Sequence, residues 1–311
     1  MISIIVCTYK RPDLVANLLR DLEVAAIHAP DGWELIIIDN HGDDHTKEIC
    51  GQSSIETNNL KYFYEAKAGL SAARNRAVIE ASGQWLLFLD DDVRVSADFI
   101  ENMLVATEKT SVGVICPRLI TPIKTDWPRW IQIRVSSGIG QFDLGEMEVE
   151  LNETTKTPVG ACMCMTRAIY NKFGPFSENI GRAGIKPYGG EETVLFGQAF
   201  ENAVKGIYLP RIVVRHEFIS AKSTKKYWLR QGFYGGRSYV RMKEIRSGKK
   251  IPWQQALKLA AASLFKSISR AAFVASPRSS FENQYRAIAH FGRAYEALGI
   301  VLKCKSSREQ P

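Results

Sequence analysis

Short apolar runs alternate with segments of helical periodicity through the first 116 residues. The apolar runs predict strands at residues 2–7, 34–39, 61–64, 85–89 and 112–116. The periodic segments predict helices at residues 13–27, 44–50, 70–81 and 97–107, with Ser96 as the N-cap of the last. Strands that alternate with helices are typical of a parallel sheet with crossover connections, so this part of the chain is predicted to be an α/β domain.

The pattern becomes irregular after the fifth strand. Residues 117–158 contain several prolines and the sequence SSGIG, and we expect a long excursion with a short hairpin. Regular elements are predicted again as a strand at 159–165, a helix at 167–173, a glycine-rich loop, a helix at 191–203 and a strand at 212–216. The last strand is expected to close the first domain, which gives domains at residues 1–216 and 217–311.

The second domain differs in composition. Residues 222–250 hold ten basic side chains, one acid and five aromatic side chains. The residues that follow place one apolar stripe on a helix with cations on its other side, which predicts a basic amphipathic helix. The stripe consists of Trp253, Leu257, Ala261, Leu264 and Ile268. A further helix is predicted at residues 281–302.

Charge is divided unevenly between the two domains. The chain has a net charge of +8, and residues 217–311 carry 19 of its 41 Lys and Arg but 5 of its 33 Asp and Glu. Such a basic region suits nucleic acid, an anionic membrane or a phosphate-bearing ligand, with a solvated cationic face as the simpler explanation. The hydrophobic content of 45% is that of an ordinary globular protein.

The cysteines and the apolar runs indicate the cellular compartment in which the protein is expected to work. The six cysteines are scattered, most of them in apolar runs, which indicates buried free thiols in a reducing cytosol. Because the first strand is predicted to start at Ile2, we expect no secretion signal. No uncharged apolar run approaches the roughly 18 residues of a membrane-spanning helix, so we expect a cytoplasmic protein whose membrane contact, if any, is peripheral.

Four predicted strands end in polar side chains. These groups are Thr8 to Arg11, Asp39 with Asn40, Asp90 to Asp92, and Arg118. Parallel α/β sheets bind ligands beyond the carboxyl ends of their strands, so we expect these ends to converge.

The run WLLFLDDDV at residues 85–93 ends a predicted strand on three adjacent carboxylates. Like charges repel one another at such an edge unless a cation neutralises them, and alternation along an extended backbone points Asp90 and Asp92 to one side. Mg²⁺ or Mn²⁺ would take those oxygens and keep positions for water and phosphate. The alternative is structural, because acids that precede a helix favour its dipole.

Four segments occur in a distinctive order: SIIVCTYKRPDLVANLLRDL, ELIIIDN, KAGLSAARNRAVIEASGQWLLFLDDDV and YGGEETVLFGQA. Together they resemble glycosyltransferase family 2, inverting enzymes of GT-A fold, and the resemblance covers about residues 1–216. It implies a GT-A nucleotide-diphospho-sugar transferase fold, which has a Rossmann-like, mostly parallel central sheet with helices on both faces. The basic helical C-terminal segment would follow this domain.

The resemblance implies a nucleotide site. Thr8, Tyr9 and Arg11 match the opening loop that lines the nucleotide. Asp39 matches the aspartate that accepts a hydrogen bond from the base, usually uracil. Asn40 replaces the family's frequent second acid, which leaves the choice of base open.

The segment KAGLSAARNRA matches the family's diphosphate-binding region. By resemblance, Gly69 permits close approach of the backbone, and Arg74 and Asn75 secure the diphosphate. An exposed cation on an alanine-rich helix is the alternative, and we prefer it for Arg76.

The aspartate triplet matches the family's DxD element. By resemblance, Asp90 contacts the ribose or nucleotide and Asp92 binds the metal, with Asp90 as a further ligand. Asp91 is grouped with the nucleotide-binding residues, although the alternation of side chains predicts that it is dispensable. Some members add a histidine from the last strand, and His216 stands in that place; an ordinary polar strand end is the alternative.

An inverting transfer also needs a carboxylate base. YGGEE offers Glu191 and Glu192 at the start of a helix. The family usually has Glu-Asp here with the second acid as base, so Glu192 is the predicted base and Glu191 is expected to hold sugar hydroxyls. The alternative is that both acids only favour the helix dipole.

The leading hypothesis is transfer of a sugar from a UDP-sugar to a glycan or lipid-linked glycan, with the basic region on an anionic cytoplasmic leaflet. A helical cap or an oligomer interface is the alternative for that region. A nucleotidyltransferase acting on sugar phosphates is disfavoured because TYKRPD has no glycine. A nucleic-acid-binding protein would leave the aspartates without a role.

Overall fold

A computed structural model describes the protein over residues 1–136, 140–182, 186–217, 223–272 and 277–306. The chain forms two compact units. The first unit comprises Met1–Thr125, Val135–Glu178 and Leu195–Phe218, and the second comprises Asp126–Arg134, Asn179–Val194 and Ile219–Pro311. Two segments that precede residue 216 therefore cluster with the C-terminal region.

Nine strands occur within the described ranges. They are β1 (Ile2–Thr8), β2 (Trp33–Asp39), β3 (Leu60–Tyr64), β4 (Trp85–Asp90), β5 (Val93–Arg94), β6 (Val114–Ile120), β7 (Val149–Leu151), β8 (Cys162–Thr166) and β9 (Gly206–His216). Helices in the same ranges are α1 (Pro12–Ala26), α2 (Asp44–Gly51), α3 (Leu70–Glu80), α4 (Phe99–Lys109), α5 (Arg129–Ser136), α6 (Arg167–Phe173), α7 (Glu191–Glu201), α8 (Lys225–Ser247), α9 (Trp253–Ala272) and α10 (Pro277–Ser306).

The strands pair into one sheet with the order β3-β2-β1-β4-β8-β6-β9-β5, and β7 pairs with β9. β1 is parallel to β2 and β4, and β2 is parallel to β3. β8 is antiparallel to its neighbours β4 and β6. The predicted α/β fold with a central, mostly parallel sheet is confirmed, and β8 is a reversed strand within it.

The core of the first unit depends on strands that are apolar along their whole length. β2 is buried at every position, which is typical of a parallel strand covered on both faces. α1 buries a stripe at helical spacing that includes Leu18 and Leu22. Burying each leucine contributes about 1.5–3 kcal/mol relative to leaving it exposed. This packing fixes the strands whose carboxyl ends carry the candidate site.

Two predicted elements have different limits. Ser96 as an N-cap is wrong: α4 begins at Phe99, and Asp98 occupies the N-cap position. The Ser96 carbonyl instead accepts a hydrogen bond from the Phe99 N–H at 3.1 Å, so the preceding residues form a turn. The strand predicted at 212–216 is the end of β9, which is longer because its first half pairs with β6 and β7.

The segment predicted to be irregular contains regular structure. α5 lies in it, and β7 pairs antiparallel with β9. Leu119 and Phe142 form an isolated bridge, and Phe142 is 1% exposed. Burial of this aromatic ring ties the excursion to the sheet in a way that its composition does not predict.

A long helix occupies the basic, aromatic stretch at residues 222–250, in the C-terminal region that is predicted to be helical. Thr224 caps α8 by accepting a hydrogen bond from the Tyr227 N–H. Gly248 ends it in the left-handed conformation, with φ of 62°. Both termini therefore follow ordinary capping rules although the helix interior contains glycines.

The glycines allow α8 and α10 to pack closely. A Cβ on Gly236 would lie 1.9 Å from the Ala289 carbonyl oxygen, and one on Gly292 would lie 2.0 Å from the Phe233 carbonyl oxygen. Glycine disfavours an isolated helix, but here it lets two backbones come into contact. Tertiary packing therefore overrides the helix propensity of this segment.

The cysteines agree with the predicted free thiols. Cys50, Cys116, Cys162 and Cys164 are buried and unpaired, and Cys7 is partly buried. Burial raises the pKa of the Cys7 thiol to about 12. The side chain of Cys304 lies outside the described residues. Across the ranges that are described, each helix is too short or too polar to cross a membrane.

Gly236→Ala is expected to destabilise the second unit by about 1–3 kcal/mol, because the added methyl group would overlap backbone atoms of α10. Gly235→Ala is the matched control, since a Cβ there meets open space. The higher helix propensity of alanine is expected to raise the free energy of unfolding of this variant by up to about 1 kcal/mol. Urea unfolding followed by circular dichroism measures both effects. Equal unfolding midpoints for the two variants would contradict the proposed packing.

Candidate active site

The carboxyl ends of β1 and β4 lie side by side because the two strands pair in parallel register. The Thr8 hydroxyl donates a hydrogen bond to Asp91 Oδ2 at 2.8 Å. Arg11 Nη1 lies 2.9 Å from Asp91 Oδ1 and 3.7 Å from Asp92 Oδ2. The middle aspartate therefore joins the loop after β1 to the triplet, and these contacts do not favour a dispensable Asp91.

Burial concentrates negative charge at this edge. Asp91 is 5% exposed and Asp92 is 3% exposed. The pKa of Asp91 is raised to about 6, chiefly because the carboxylate is buried; Arg11 acts against the shift, and Asp92 adds to it. The edge is therefore a place where a further positive charge would be stabilised.

His216 lies beside the last aspartate of the triplet. Its Nε2 is 3.1 Å from Asp92 Oδ1, and its Nδ1 is 3.1 Å from the Gly140 carbonyl oxygen. The contact follows from the sheet, because β5 directly after the triplet pairs with the end of β9. A carbonyl oxygen can only accept, so Nδ1 is placed to donate to Gly140. The carboxylate of Asp92 also only accepts, so Nε2 donates to it when protonated and otherwise presents a lone pair at the same point.

Gly140 is required for this arrangement. Its φ is +69°, and a Cβ on it would lie 2.8 Å from His216 Nδ1. A side chain at this position would be strained and would displace the imidazole. An isolated glycine in SSGIG carries no sequence signal for such a contact, because the histidine lies 76 residues further along the chain.

The donor atoms at this edge suit a divalent cation. Carboxylate oxygens and an imidazole nitrogen are ligands for Mn²⁺ and, in the case of the oxygens, for Mg²⁺. A histidine whose other ring nitrogen donates to a backbone carbonyl is the usual form of a metal-ligating imidazole. Among the described side chains, no group of three or more His, Cys, Asp and Glu is gathered in metal-binding geometry. Asp92 and His216 fit the metal, and substrate oxygens would complete its coordination.

Arg74 lies beneath the first aspartate of the triplet. It is 2% exposed, and its Nη2 lies 3.3 Å from Asp90 Oδ1 and 2.9 Å from the Gly160 carbonyl oxygen. Its guanidinium is also 5.7 Å from the centre of the Phe176 ring. This cation is buried and offsets the charge of Asp90, so the exposed-cation alternative does not describe it.

Asn75 contacts protein on both sides of its amide. Its Nδ2 donates to the Phe176 carbonyl oxygen at 3.0 Å, and its Oδ1 accepts from the Phe176 N–H and the Tyr170 hydroxyl, each at 2.9 Å. The side chain therefore holds the loop that follows α6. Its predicted contact with a diphosphate stays a prediction.

Asp39 orders the loop after β2. Its carboxylate accepts hydrogen bonds from the N–H groups of His41 at 2.8 Å and Asp43 at 2.7 Å, and from the Tyr62 hydroxyl at 3.0 Å. Asp39 is fully buried. The three observed hydrogen-bond donors to Asp39 are groups of the protein itself. Its contact with a nucleotide base stays a prediction.

The contacts of Asn40 require an amide at the position where the family often has an acid. Its Nδ2 donates to the carbonyl oxygens of Glu65 and Lys67, each at 2.8 Å, and its Oδ1 accepts from the Gly69 N–H at 2.7 Å. An aspartate could not donate to the two carbonyls. Gly69 adopts φ of +139°, which favours glycine, so the predicted close approach of backbone at this residue has a conformational basis.

Tyr9 and Arg118 are both predicted to lie at converging strand ends, and the structure places them differently. Tyr9 is 44% exposed and its ring is 5.4 Å from that of His41, so the loops after β1 and β2 meet. Arg118 lies within β6 rather than after it, and it pairs with Asp143 and Glu146. The expectation that Arg118 joins the other strand ends is wrong, because β6 continues past it.

The two predicted catalytic acids belong to the second compact unit. Glu191 and Glu192 occupy the first turn of α7, and the Val194 N–H donates to the Gly190 carbonyl oxygen at 3.0 Å. Glu191 is 3% exposed, and Glu192 is partly buried. Their roles in catalysis stay predictions.

Comparison with known proteins extends beyond the motifs. Residues 3–174 match the model of glycosyl transferase family 2. The succinoglycan biosynthesis protein ExoM of Rhizobium meliloti is 26% identical over 311 residues, which span 96% of this chain and 93% of ExoM.

Two solved structures share the fold. The mannosyltransferase PcManGT from Pyrobaculum calidifontis, in complex with GDP-Man and Mn²⁺, superimposes with a TM-score of 0.58 at 16% identity over 98% of this chain and 87% of its own. TarS 1–349 from S. aureus, in complex with UDP, superimposes with a TM-score of 0.54 at 14% identity over 100% of this chain and 93% of its own. Since the family model covers more than half of the sequence, this chain belongs to glycosyl transferase family 2 and is a glycosyltransferase.

Proposed function

We propose that the protein is a metal-dependent, inverting glycosyltransferase that moves a sugar from a UDP-linked donor to a glycan or a lipid-linked glycan. The observation that carries the proposal is the Asp92–His216 contact beside Arg11, where acids, a fixed imidazole and a cation meet. The UDP and GDP-Man of the two structural neighbours support a nucleoside-diphosphate sugar as donor. The succinoglycan relative supports a role in polysaccharide synthesis.

Asp92 and His216 are the proposed holders of Mn²⁺ or Mg²⁺, with Asp90 beside them. When bound, the metal would supply Lewis-acid stabilisation of the leaving diphosphate. Arg11 and Arg74 add fixed positive charge at the same edge, and such preorganised charge favours an anionic leaving group without reorganisation during the reaction.

The remaining nucleotide-site residues have distinct proposed tasks. The exposed ring of Tyr9 is available to the nucleoside, and Thr8 holds the loop that carries it. Asp39 orders the loop through which the base would be recognised. Gly69 allows backbone to approach the diphosphate, and Asn75 maintains the loop against which α3 packs.

Glu192 is the proposed base, and Glu191 is proposed to hold sugar hydroxyls. In the transfer, the acceptor oxygen forms a bond to the anomeric carbon while the bond from that carbon to the diphosphate oxygen breaks. The acceptor proton passes to the Glu192 carboxylate. Attack from the face opposite the diphosphate inverts the anomeric configuration. Family membership argues against the nucleotidyltransferase and nucleic-acid-binding alternatives.

Glu192→Gln is expected to lower sugar transfer by about 10²–10⁴-fold, because the amide cannot accept the proton, while donor binding is kept. Glu201→Gln, at the other end of the same helix, is the matched control and is expected to transfer normally. Product formation by chromatography and UDP binding by calorimetry measure the two properties. Transfer at the wild-type rate by Glu192→Gln would move the base elsewhere.

We further propose that α9 lies on an anionic membrane surface at the cytoplasmic face. Its large apolar side chains point outward: Phe265 is 74% exposed and Ile268 is 61% exposed. The face that packs within the second unit carries the small residues Ala256, Ala260 and Ser263. An outward apolar stripe on a basic helix suits the boundary between lipid headgroups and acyl chains. Such a surface would bring the enzyme to a lipid-linked acceptor.

The wild-type protein is expected to sediment with vesicles that contain anionic phospholipid and not with purely zwitterionic vesicles. Phe265→Ser/Ile268→Ser is expected to weaken that binding at least about tenfold, since each buried side chain contributes about 1.5–3 kcal/mol. Ile27→Ser/Ile79→Ser, which alters two exposed isoleucines of the first unit, is the control. Equal sedimentation with both vesicle types would contradict the membrane proposal.

A further inference from the structure

We infer that α8 and α10 position the proposed base, through contacts with the five residues that precede α7. These five residues, 186–190, are called the pre-helix segment. The inference rests on the proposed function of Glu192 and assigns part of the basic C-terminal region to catalysis rather than to a charged ligand.

The pre-helix segment is attached to α8 at the point where α7 starts. The Gly189 N–H donates to the Ser238 hydroxyl at 3.2 Å, and Ser238 is 2% exposed. Gly190 has φ of +102°, and a Cβ on it would lie 2.4 Å from Met242 Sδ. The Gly190 carbonyl oxygen accepts the hydrogen bond from Val194 that closes the first turn of α7. The peptide that rests on α8 therefore also starts the helix that carries Glu191 and Glu192.

Tyr188 is held between α8 side chains. It is 6% exposed, and its ring packs edge to face against Tyr234 with 4.9 Å between centroids. The Arg241 guanidinium carbon lies 4.2 Å from the Tyr188 centroid, and that of Arg237 lies 5.2 Å from it. Cations over an aromatic face attract it, and more strongly where the site is partly desolvated. Tyr188 is thus fixed by a group of contacts rather than by a single one.

Both arginines are oriented by one acid of α10. Glu296 Oε1 accepts from Arg241 Nε at 2.8 Å, and Oε2 accepts from Arg237 Nε at 2.6 Å. The three side chains are between 16% and 29% exposed. Arg241 Nη1 also donates to the Asn179 carbonyl oxygen at 2.9 Å. The orientation of the guanidinium groups is therefore set by packing and charge within the second unit.

These contacts act on the residues just before the proposed base. A displacement of about 1 Å in a catalytic group can lower a rate by about 10²-fold, so support around the group affects turnover. The proposed nucleotide-binding residues Thr8 to Asp92 belong to the other unit, so the affinity for UDP is not expected to depend on these arginines. Arg241 is accordingly assigned as a positioning residue, with Arg237 and Glu296 acting through it and through Tyr188.

Arg241→Met keeps an unbranched stem similar to the aliphatic part of arginine but removes the guanidinium. It is expected to lower kcat for sugar transfer by about 10–10²-fold and to leave the affinity for UDP unchanged. Ser238→Ala is the milder second variant, with an expected decrease in kcat of about 3–10-fold because it removes one hydrogen bond to the pre-helix segment. Arg246→Met, an exposed cation of the same helix, is the control and is expected to behave as wild type.

A double-mutant cycle separates positioning from general stability. If Arg241 acts through the base, Arg241→Met combined with Glu192→Gln should transfer no more slowly than Glu192→Gln alone. Additive decreases, or an affinity for UDP that falls in proportion to kcat, would overturn the inference. Unchanged kcat in folded Arg241→Met and Ser238→Ala would also overturn it. Failure of the proposed function would be recognised by a different result. Glu192→Gln would then transfer sugar at the wild-type rate, whatever the effect of Arg241→Met.

Discussion

Electrostatic balance at the end of β4 is the constraint on which the candidate site depends. Three successive carboxylates follow a buried strand, and two of them are nearly inaccessible to solvent. Arg11 faces Asp91, Arg74 faces Asp90, and His216 faces Asp92. Each aspartate thus has its own cationic or imidazole partner, drawn from a different part of the chain. Unpaired charges in such an environment would be strongly destabilising, so these partners are conditions for the edge to fold as well as for its chemistry.

The sequence predicts this arrangement in part. Strand and helix periodicity places Thr8 and the aspartates at adjacent strand ends, and pairing of β1 with β4 brings them together. Periodicity does not predict the contact between the Gly140 carbonyl and His216 Nδ1, because that contact depends on a loop whose path is set by tertiary packing. The same limit applies to α8: a helical C-terminal region is predicted, but the close packing of α8 against α10 depends on Gly236 and Gly292, which meet backbone atoms of the other helix. Local patterns thus predict the elements and their ends, whereas long-range contacts decide which residues each end meets.

The basic C-terminal region is proposed to serve two purposes. Arg237 and Arg241 face inward, where an acid and aromatic rings occupy them and make them part of the support for residues 186–190. The outward apolar stripe of α9 is a separate feature, on a helix whose packed face is made of small side chains. The net charge of the region does not distinguish these inward-facing arginines from the cations of α9. Only some of them are available to an anionic surface, so variants in α8 and α9 should have different effects.

Binding of a nucleoside diphosphate together with a divalent metal at the triplet edge is the centre of the proposed function. Thermal unfolding of wild type and Asp92→Asn, measured with UDP in Mn²⁺ and in EDTA, tests it most directly, because a ligand that binds the folded state raises the apparent Tm. UDP is expected to raise the Tm of wild type in Mn²⁺ and not in EDTA, and Asp92→Asn is expected to lose the Mn²⁺-dependent increase. An equal increase in EDTA, or an undiminished one in Asp92→Asn, would contradict it.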